Sequence, residues 1–295
     1  MKTMREAIAS GKVLVSDGGW GSFLVAKGLQ VGECPEAWNL THADAVQDIA
    51  RMYAGAGADI VMTNSFGGTR FKLQHYDLAD KVGEINRTAA RLSREAAGPD
   101  RWVMASVGPT GIILMMGEVS EEELYKAFKE QIIALEEGGA DACIIETMSA
   151  LDEATIAVRA ARENTRLEVL ASFTFDMKTP AGYRTMMGVS PEAMATALVD
   201  AGAHIVGANC SLGSDEMISV VEVLHRAVPE TPILVHPNAG RPVQHPDGRI
   251  EYPETPEKMA GNVAALIQAG ARILGGCCGT GPDHIRAIRD AVDAC

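Results

Sequence analysis

Gly55-Ala-Gly-Ala-Asp59, Gly138-Gly-Ala-Asp141, Ala201-Gly-Ala-His204 and Ala269-Gly-Ala-Arg272 are four versions of one phrase. Each closes a stretch with helix-like spacing of apolar residues and opens a β-rich apolar run with few charges. A glycine just past a helix takes the left-handed conformation that caps the last turn. A short run that is apolar on both faces suits a strand of a parallel sheet covered by helices. The phrase therefore marks the helix-to-strand junction of a parallel α/β fold.

Working outward from these junctions, eight apolar runs qualify as strands: 13–17, 59–63, 102–107, 142–146, 169–173, 204–208, 233–236 and 272–274. Amphipathic stretches lie between them, among others at 43–54, 121–137, 190–201, 214–227 and 256–268. Ser120 followed by Glu123, and Ser190-Pro191, are helix-start signals. Eight strands alternating with helices predict an α/β fold, a closed (β/α)8 TIM barrel, as a single domain over residues 1–295. An open doubly wound sheet is the competitor. It is disfavoured by the count of eight and by the lack of a Gly-x-Gly-x-x-Gly fingerprint after the first strand. No Pro-rich, Ser-rich or charge-rich linker divides the chain.

Composition bounds the partners. The 47% hydrophobic and 22% charged residues are ordinary for a globular enzyme. A formal net charge of -13 with no basic run argues against a nucleic acid partner, since phosphates bind clustered Lys and Arg. No signal-peptide pattern opens the chain and no run of eighteen apolar residues occurs, so no membrane partner and a cytoplasmic location are expected. Six cysteines in 295 residues do not read as a disulfide scaffold.

In a barrel the chemistry sits at the carboxyl ends of the strands. Those ends read Asp17-Gly18-Gly19, Thr63-Asn64-Ser65, Gly108-Pro-Thr-Gly111, Glu146-Thr147, Phe173-Thr-Phe175, Asn209-Cys210, Pro237-Asn238-Ala-Gly240 and Gly275-Gly-Cys277-Cys278-Gly279. Cys210 and the Cys277–Cys278 pair then share one mouth. Adjacent side chains on an extended strand point apart, but Gly275, Gly276 and Gly279 free the chain to turn so that both sulfurs aim at one point. Three thiolates and an open position describe a zinc site that keeps a place for substrate. Such a site carries net negative charge and suits a bound thiol that must stay nucleophilic, rather than hydrolysis. A vicinal-thiol redox enzyme could use Cys277 and Cys278, but the pair lacks Cys-x-x-Cys spacing and would not need Cys210, and a structural metal-binding protein usually supplies four ligands. Cys34, before Pro35, Cys143, inside an apolar run, and Cys295, the last residue, have no comparable setting.

Taken together, Asp17-Gly-Gly-Trp-Gly21, Thr63-Asn-Ser-Phe-Gly-Gly-Thr-Arg70, Ser106-Val-Gly-Pro-Thr-Gly111, Ile145-Glu-Thr147, Gly207-Ala-Asn-Cys-Ser-Leu-Gly213, Pro237-Asn-Ala-Gly240 and Gly275-Gly-Cys-Cys-Gly-Thr280 resemble the homocysteine S-methyltransferase family, in order and over nearly the whole chain. The resemblance implies a barrel in which Cys210, Cys277 and Cys278 hold Zn2+ and the homocysteine sulfur takes the fourth position, to be methylated to methionine. It implies that Glu146 binds the substrate ammonium group and that Asp17, Gly18 and Gly19 line the amino-acid end of the pocket. Asn64 and Asn209 are further candidate contacts, and Asn238 is a candidate for the open position when substrate is absent. Against these, Asp17 can cap a turn and the asparagines can serve loop backbone.

Within the family, Cys210-Ser-Leu-Gly213 and Pro237-Asn-Ala-Gly-Arg-Pro242 are most similar to the homocysteine module of cobalamin-dependent methionine synthase. The folate, cobalamin and activation modules of that enzyme do not fit in 295 residues. The expected methyl donor is therefore a separate methylated corrinoid protein, with betaine or S-methylmethionine as alternatives. One departure is the apolar loop Ile112-Ile-Leu-Met-Met116, either a buried plug or a surface where a donor docks.

Overall fold

The glycine two residues before the end of each repeated phrase has the left-handed backbone that the helix-to-strand turn requires: φ is 98° at Gly57, 100° at Gly139, 102° at Gly202 and 122° at Gly270. In three of the four copies the residue two positions on accepts a backbone N–H of the preceding strand. Asp59 Oδ2 accepts the Val15 N–H at 2.8 Å, Asp141 Oδ2 accepts that of Val103 at 2.8 Å, and His204 Nδ1 accepts that of Val169 at 2.9 Å. The fourth copy has Arg272 there instead.

The computed structural model describes residues 2–246 and 248–295. Eight strands form one parallel sheet: β1 (Leu14–Val15), β2 (Ile60–Met62), β3 (Trp102–Val107), β4 (Ala142–Met148), β5 (Glu168–Phe173), β6 (Ile205–Asn209), β7 (Ile233–His236) and β8 (Ala271–Leu274). Each pairs with the next, β8 pairs with β1, and a parallel bridge between Ser16 and Ile60 joins β1 to β2, so the sheet closes into a barrel. Around it run α1 (Ala43–Gly55), α2 (Val82–Ala97), α3 (Glu121–Glu137), α4 (Leu151–Asn164), α5 (Pro191–Asp200), α6 (Ser214–Ala227), α7 (Val263–Ala269) and α8 (Pro282–Asp293). The caps fall where the sequence places them, with a full capping box at Ser120 and Glu123 and with Ser190 accepting the Ala193 N–H. The expected helix at 256–268 is broken into Pro256–Gly261 and α7. The break falls at Asn262, beside a glycine, where the side chain donates to Ser214 Oγ at 2.7 Å.

Strand alternation sorts the side chains. Leu14, Ile60, Met104, Ile144, Leu170 and Ile273 belong to the barrel interior, which the helix Met4–Ala9 plugs from the amino-terminal end. Glu168 fixes that plug by accepting the N–H groups of Met4 at 2.8 Å and Arg5 at 3.1 Å. The other parity, including Val15, Ala105, Val169 and Cys143, packs beneath the helices. Toward the carboxyl ends the interior parity changes character to Ser106, Glu146, Ser172, Asn209 and His236, all buried.

Two hairpins not expected from the sequence rise at that pole, Met177–Thr179 with Gly182–Arg184 and Val243–Gln244 with Ile250–Glu251. Glu216, in the first turn of α6, ties them together. It accepts the Tyr183 hydroxyl at 3.1 Å and two Arg241 guanidinium bonds at 2.8 Å each. Among the described residues no helix is long and apolar enough to cross a membrane.

Candidate metal centre and substrate pocket

Cys210 leaves β6 on a sharp turn in which it and Ser211 both have left-handed backbone, with φ of 64° and 61°. Such angles are uncommon for residues with a Cβ and gather at functional sites. The turn is held by Cys210 N–H to the His236 carbonyl at 3.0 Å and Leu212 N–H to the Cys210 carbonyl at 2.7 Å. Across the mouth, the loop after β8 is laid on the loop after β7. Cys277 N–H donates to the Pro237 carbonyl at 2.8 Å, Cys278 N–H to Asn238 Oδ1 at 3.1 Å, and Ala239 N–H to the Cys278 carbonyl at 3.0 Å.

The glycines around the pair do different jobs from the one expected of all three. Only Gly279 has left-handed backbone, with φ 80°. Gly275 and Gly276 are glycines because there is no room for more: a Cβ would lie 2.8 Å from the Asp17 carbonyl oxygen at Gly275 and 2.2 Å from Thr280 Oγ1 at Gly276.

The result brings Cys210, Cys277 and Cys278 together. Their sulfurs all lie within 4.8 Å of one another, and Cys210 Sγ and Cys278 Sγ are 3.9 Å apart. Tetrahedral coordination at about 2.3 Å per Zn–S bond sets ligand sulfurs roughly 3.8 Å apart, whereas a disulfide needs about 2.05 Å. All six cysteines are free. The donor set and its spacing thus fit a metal held by three thiolates, and among the described residues it is the one such cluster. The neighbouring Cys210 and Cys277 thiols hold the Cys278 thiol well below its usual range.

Two buried carboxyl groups belong to the same pole. Glu146 accepts a short hydrogen bond from the Ser106 hydroxyl, and burial pushes its carboxyl up to about 7, with Asp17 and Cys278 adding repulsion. Asp17 accepts the Met62 N–H at 2.8 Å and the Trp20 indole N–H at 2.9 Å, and burial raises it to about 7. Among the described residues neither carboxyl has a cation beside it.

A family model described as homocysteine S-methyltransferase matches residues 14–292. The chain belongs to the homocysteine S-methyltransferase family. It is 33% identical over 303 aligned residues to methionine synthase of Mycobacterium tuberculosis and 34% identical over 298 to that of Mycobacterium leprae. The alignments cover 97% and 96% of this chain but 25% and 24% of those proteins, so the chain spans about a quarter of their length. Among solved structures, the metallated form of the Escherichia coli homocysteine methyltransferase MmuM superposes with a TM-score of 0.78 at 22% identity, covering 97% of this chain and 99% of that one. That likeness shows the barrel.

The remaining residues singled out in this family member divide by what they touch. Asn209 is central: Oδ1 accepts the Thr147 N–H at 2.9 Å and the Ser172 hydroxyl at 2.7 Å, and Nδ2 donates to Thr147 Oγ1 at 2.8 Å and lies 3.9 Å from Cys277 Sγ. Asn238 is engaged through Oδ1 with the Cys278 amide. Asn64 instead serves the loops, donating to the Pro35 carbonyl at 2.8 Å and to Asn39 Oδ1 at 3.0 Å. Gly18 and Gly19 lie against the Cys277–Cys278 loop, where a Cβ on Gly19 would come 2.7 Å from the Cys277 carbonyl oxygen. The Gly19 N–H donates to Thr280 Oγ1 at 3.0 Å. Sequence reasoning missed Tyr53, which donates from its buried hydroxyl to the Gly19 carbonyl at 2.6 Å. It also missed His236, whose Nε2 is buried without a partner and which burial keeps neutral by lowering it to about 3. His236 directly precedes the Pro237-Asn238 motif, the one signal that could have drawn attention to it.

Proposed function

We propose that this chain methylates the thiol of homocysteine to give methionine, at zinc held by Cys210, Cys277 and Cys278. The observation that carries the reading is the pairing of a three-sulfur cluster with two buried, cation-free carboxyls at one pole of the barrel. Homocysteine presents the matching pair of groups, a thiol and an ammonium. Zinc bound there supplies one thing, a substrate thiol that stays deprotonated near neutral pH without losing its nucleophilicity. The protein's own residues do the rest. Glu146, with Asp17 behind it, takes the ammonium and so fixes the sulfur over the cluster. Asn209 and Asn238 hold the loops that carry the cysteines. The sulfur lone pair forms the S–CH3 bond, the bonding pair of the old methyl bond leaves with the donor, and the thiol proton passes to solvent.

The donor is read as a methylated corrinoid protein. The two mycobacterial relatives are methionine synthases that carry about three quarters of their length outside the matched region. In this chain every large hydrophobic side chain that stays exposed, among the described residues, lies between a barrel strand and the helix after it, at the mouth pole. Met115, Met116, Met186 and Phe66 are among them, and Met-rich apolar surfaces suit a protein partner. Methionine formation from homocysteine with a methylcobalamin-loaded corrinoid protein, with betaine and with S-methylmethionine tests the reading. Turnover with a small donor alone would overturn the corrinoid assignment, and no turnover with any methyl donor would overturn the reaction.

A further inference from the structure

At the amino-terminal pole, opposite the sulfur cluster, three of the four junction phrases share a second regularity. An arginine from the helix one place earlier around the ring lies over the phrase's left-handed glycine. A Cβ on Gly57 would lie 2.9 Å from Arg289 Cγ, one on Gly139 3.7 Å from Arg94 Cγ, and one on Gly202 3.3 Å from Arg162 Cγ. In the first two the arginine meets the acid that ends the phrase. Arg289 donates to Asp59 Oδ2 at 2.9 Å and Arg94 donates to Asp141 Oδ2, and the same two oxygens accept the strand N–H groups of Val15 and Val103. In the third copy His204 takes over the backbone duty, its Nδ1 accepting the Val169 N–H at 2.9 Å, but it brings no negative charge. Arg162 is kept without its acid, and among the described residues it has no hydrogen-bond or ion-pair partner.

That place opens into a cavity of about 340 Å3 whose walls include Lys2, Arg5, Arg162, Arg166 and His204. The two carboxylates in its walls are already engaged by the protein. Glu168 accepts the Met4 and Arg5 N–H groups and Arg5 Nε, and Asp141 accepts Arg94 and the Val103 N–H. Four cations against two carboxylates leave the cavity positive in a chain whose net charge is -13. Because Nδ1 of His204 is an acceptor, the neutral ring carries its proton on Nε2, a further donor. Burial, with Arg5 and Arg162 close by, pushes His204 down to about 4, so the ring is neutral near pH 7. A phosphate dianion matches this set: it balances the excess charge and offers acceptors to guanidinium forks and to an imidazole N–H. We propose that the cavity binds a phosphate dianion, free or as the head of a small phosphomonoester, beside Arg162 where the first two junctions hold an aspartate. The proposal is independent of the reaction at the opposite pole.

His204→Asp rebuilds the acid of the first two junctions and keeps an acceptor for the Val169 N–H, so the barrel should fold while the cavity loses its affinity. Arg162→Gln removes the cation instead. Binding of inorganic phosphate and of glycerol 3-phosphate to the full chain is measured by calorimetry, and in wild type also by the His204 imidazole resonances. Wild type should bind at least one of the two with a Kd of about 1 mM or tighter at low salt. The His204 resonances should move, and the ring's titration should rise above about 4 as an anion settles beside it. Both variants should bind at least about tenfold more weakly, whereas Arg166→Gln, at a side chain 97% exposed, should lose less than about threefold. Tighter binding of glycerol 3-phosphate would assign a phosphomonoester, and tighter binding of inorganic phosphate the free ion. Unmoved His204 resonances, an unchanged Kd in folded His204→Asp or Arg162→Gln, or equal losses in Arg162→Gln and Arg166→Gln would overturn the site, as would no binding of either probe by wild type.

Discussion

Asn238 Oδ1 accepts the Cys278 N–H at 3.1 Å, one of three bonds by which the loop after β7 shapes the loop after β8. The other two are backbone bonds, from Cys277 to the Pro237 carbonyl and from Ala239 to the Cys278 carbonyl. Two adjacent cysteines can face one point because a neighbouring strand end templates them. Asn238 is therefore tied to the Cys277–Cys278 loop through its oxygen.

Asn238→Ala removes the one side-chain bond of the three. The barrel should still fold, but zinc affinity should fall by about 10- to 100-fold, the usual cost of losing a group that orients a ligand. Asn238→Asp keeps the acceptor and should retain more of the affinity. Chelator competition on the purified variants measures both. Equal zinc affinity in wild type and Asn238→Ala would remove the bond from the site's construction.

Glu146→Gln separates charge from shape. The charge-assisted bond to a substrate ammonium is worth roughly 1.5–3 kcal/mol, so affinity should drop by about 10- to 100-fold while zinc content stays full. The test ligand is methionine, which carries the same amino group and no thiol proton. Because burial pushes Glu146 up to about 7, wild-type affinity should strengthen as pH rises through that value, and the variant's profile should be flatter.

The same carboxyl has a signature in stability. Its folded pKa is raised above the unfolded value, so folded protein keeps a proton there that the unfolded chain has lost. That contribution is complete below about pH 4.5 and is lost as pH rises through about 7. Relative to wild type, Glu146→Gln should gain roughly 3 kcal/mol between pH 4.5 and pH 8. Urea unfolding at the two pH values measures the difference.

The barrel was legible because its signals are local and repeated. Gly57, Gly139, Gly202 and Gly270 punctuate it, and alternation within the strands sends Ile144 inward and Cys143 outward. The cluster of Cys210, Cys277 and Cys278 was legible because strand ends share one pole. The roles of Gly275 and Gly276 were not, since a glycine required for space looks the same in sequence as one required for its φ. The hairpins were missed because strands of only two or three residues are too short to carry a periodicity. The contact of Tyr252 with Gly279 was invisible for a related reason, as it spans a loop whose path only the fold decides.

The loop after β3 is exposed at its tip. Met115 and Met116 are 83% and 69% exposed, so they are not a buried plug, whereas Leu114 packs against the core. Met115→Glu and Met116→Glu should leave the melting temperature and methionine affinity nearly unchanged, since exposed substitutions rarely cost more than about 0.5 kcal/mol. With a corrinoid protein as donor, kcat/KM should fall by about tenfold or more, while turnover with free methylcobalamin should not. Equal losses with both donors would place the loop in the chemistry rather than in docking.

The six cysteines give the metal site its own controls. Single Cys→Ser changes at Cys210, Cys277 and Cys278 replace a thiolate with a weak hydroxyl ligand, so zinc affinity should fall by about two orders of magnitude or more, and methyl transfer with it. Cys295 is exposed and its variant should behave as wild type. Cys34 and Cys143 are buried away from the cluster, Cys143 beneath the helices. A hydroxyl at Cys143 should cost about 1–3 kcal/mol of stability, with full zinc in the folded fraction. That contrast separates loss of metal from loss of fold. Zinc per chain, thermal stability and turnover are measured for all six, together with the proton released on adding homocysteine, expected at about one per site because metal ligation requires the deprotonated sulfur. Full zinc and normal turnover in Cys210→Ser or Cys277→Ser would sink the mechanism, because no other described trio of side chains is placed to hold the ion.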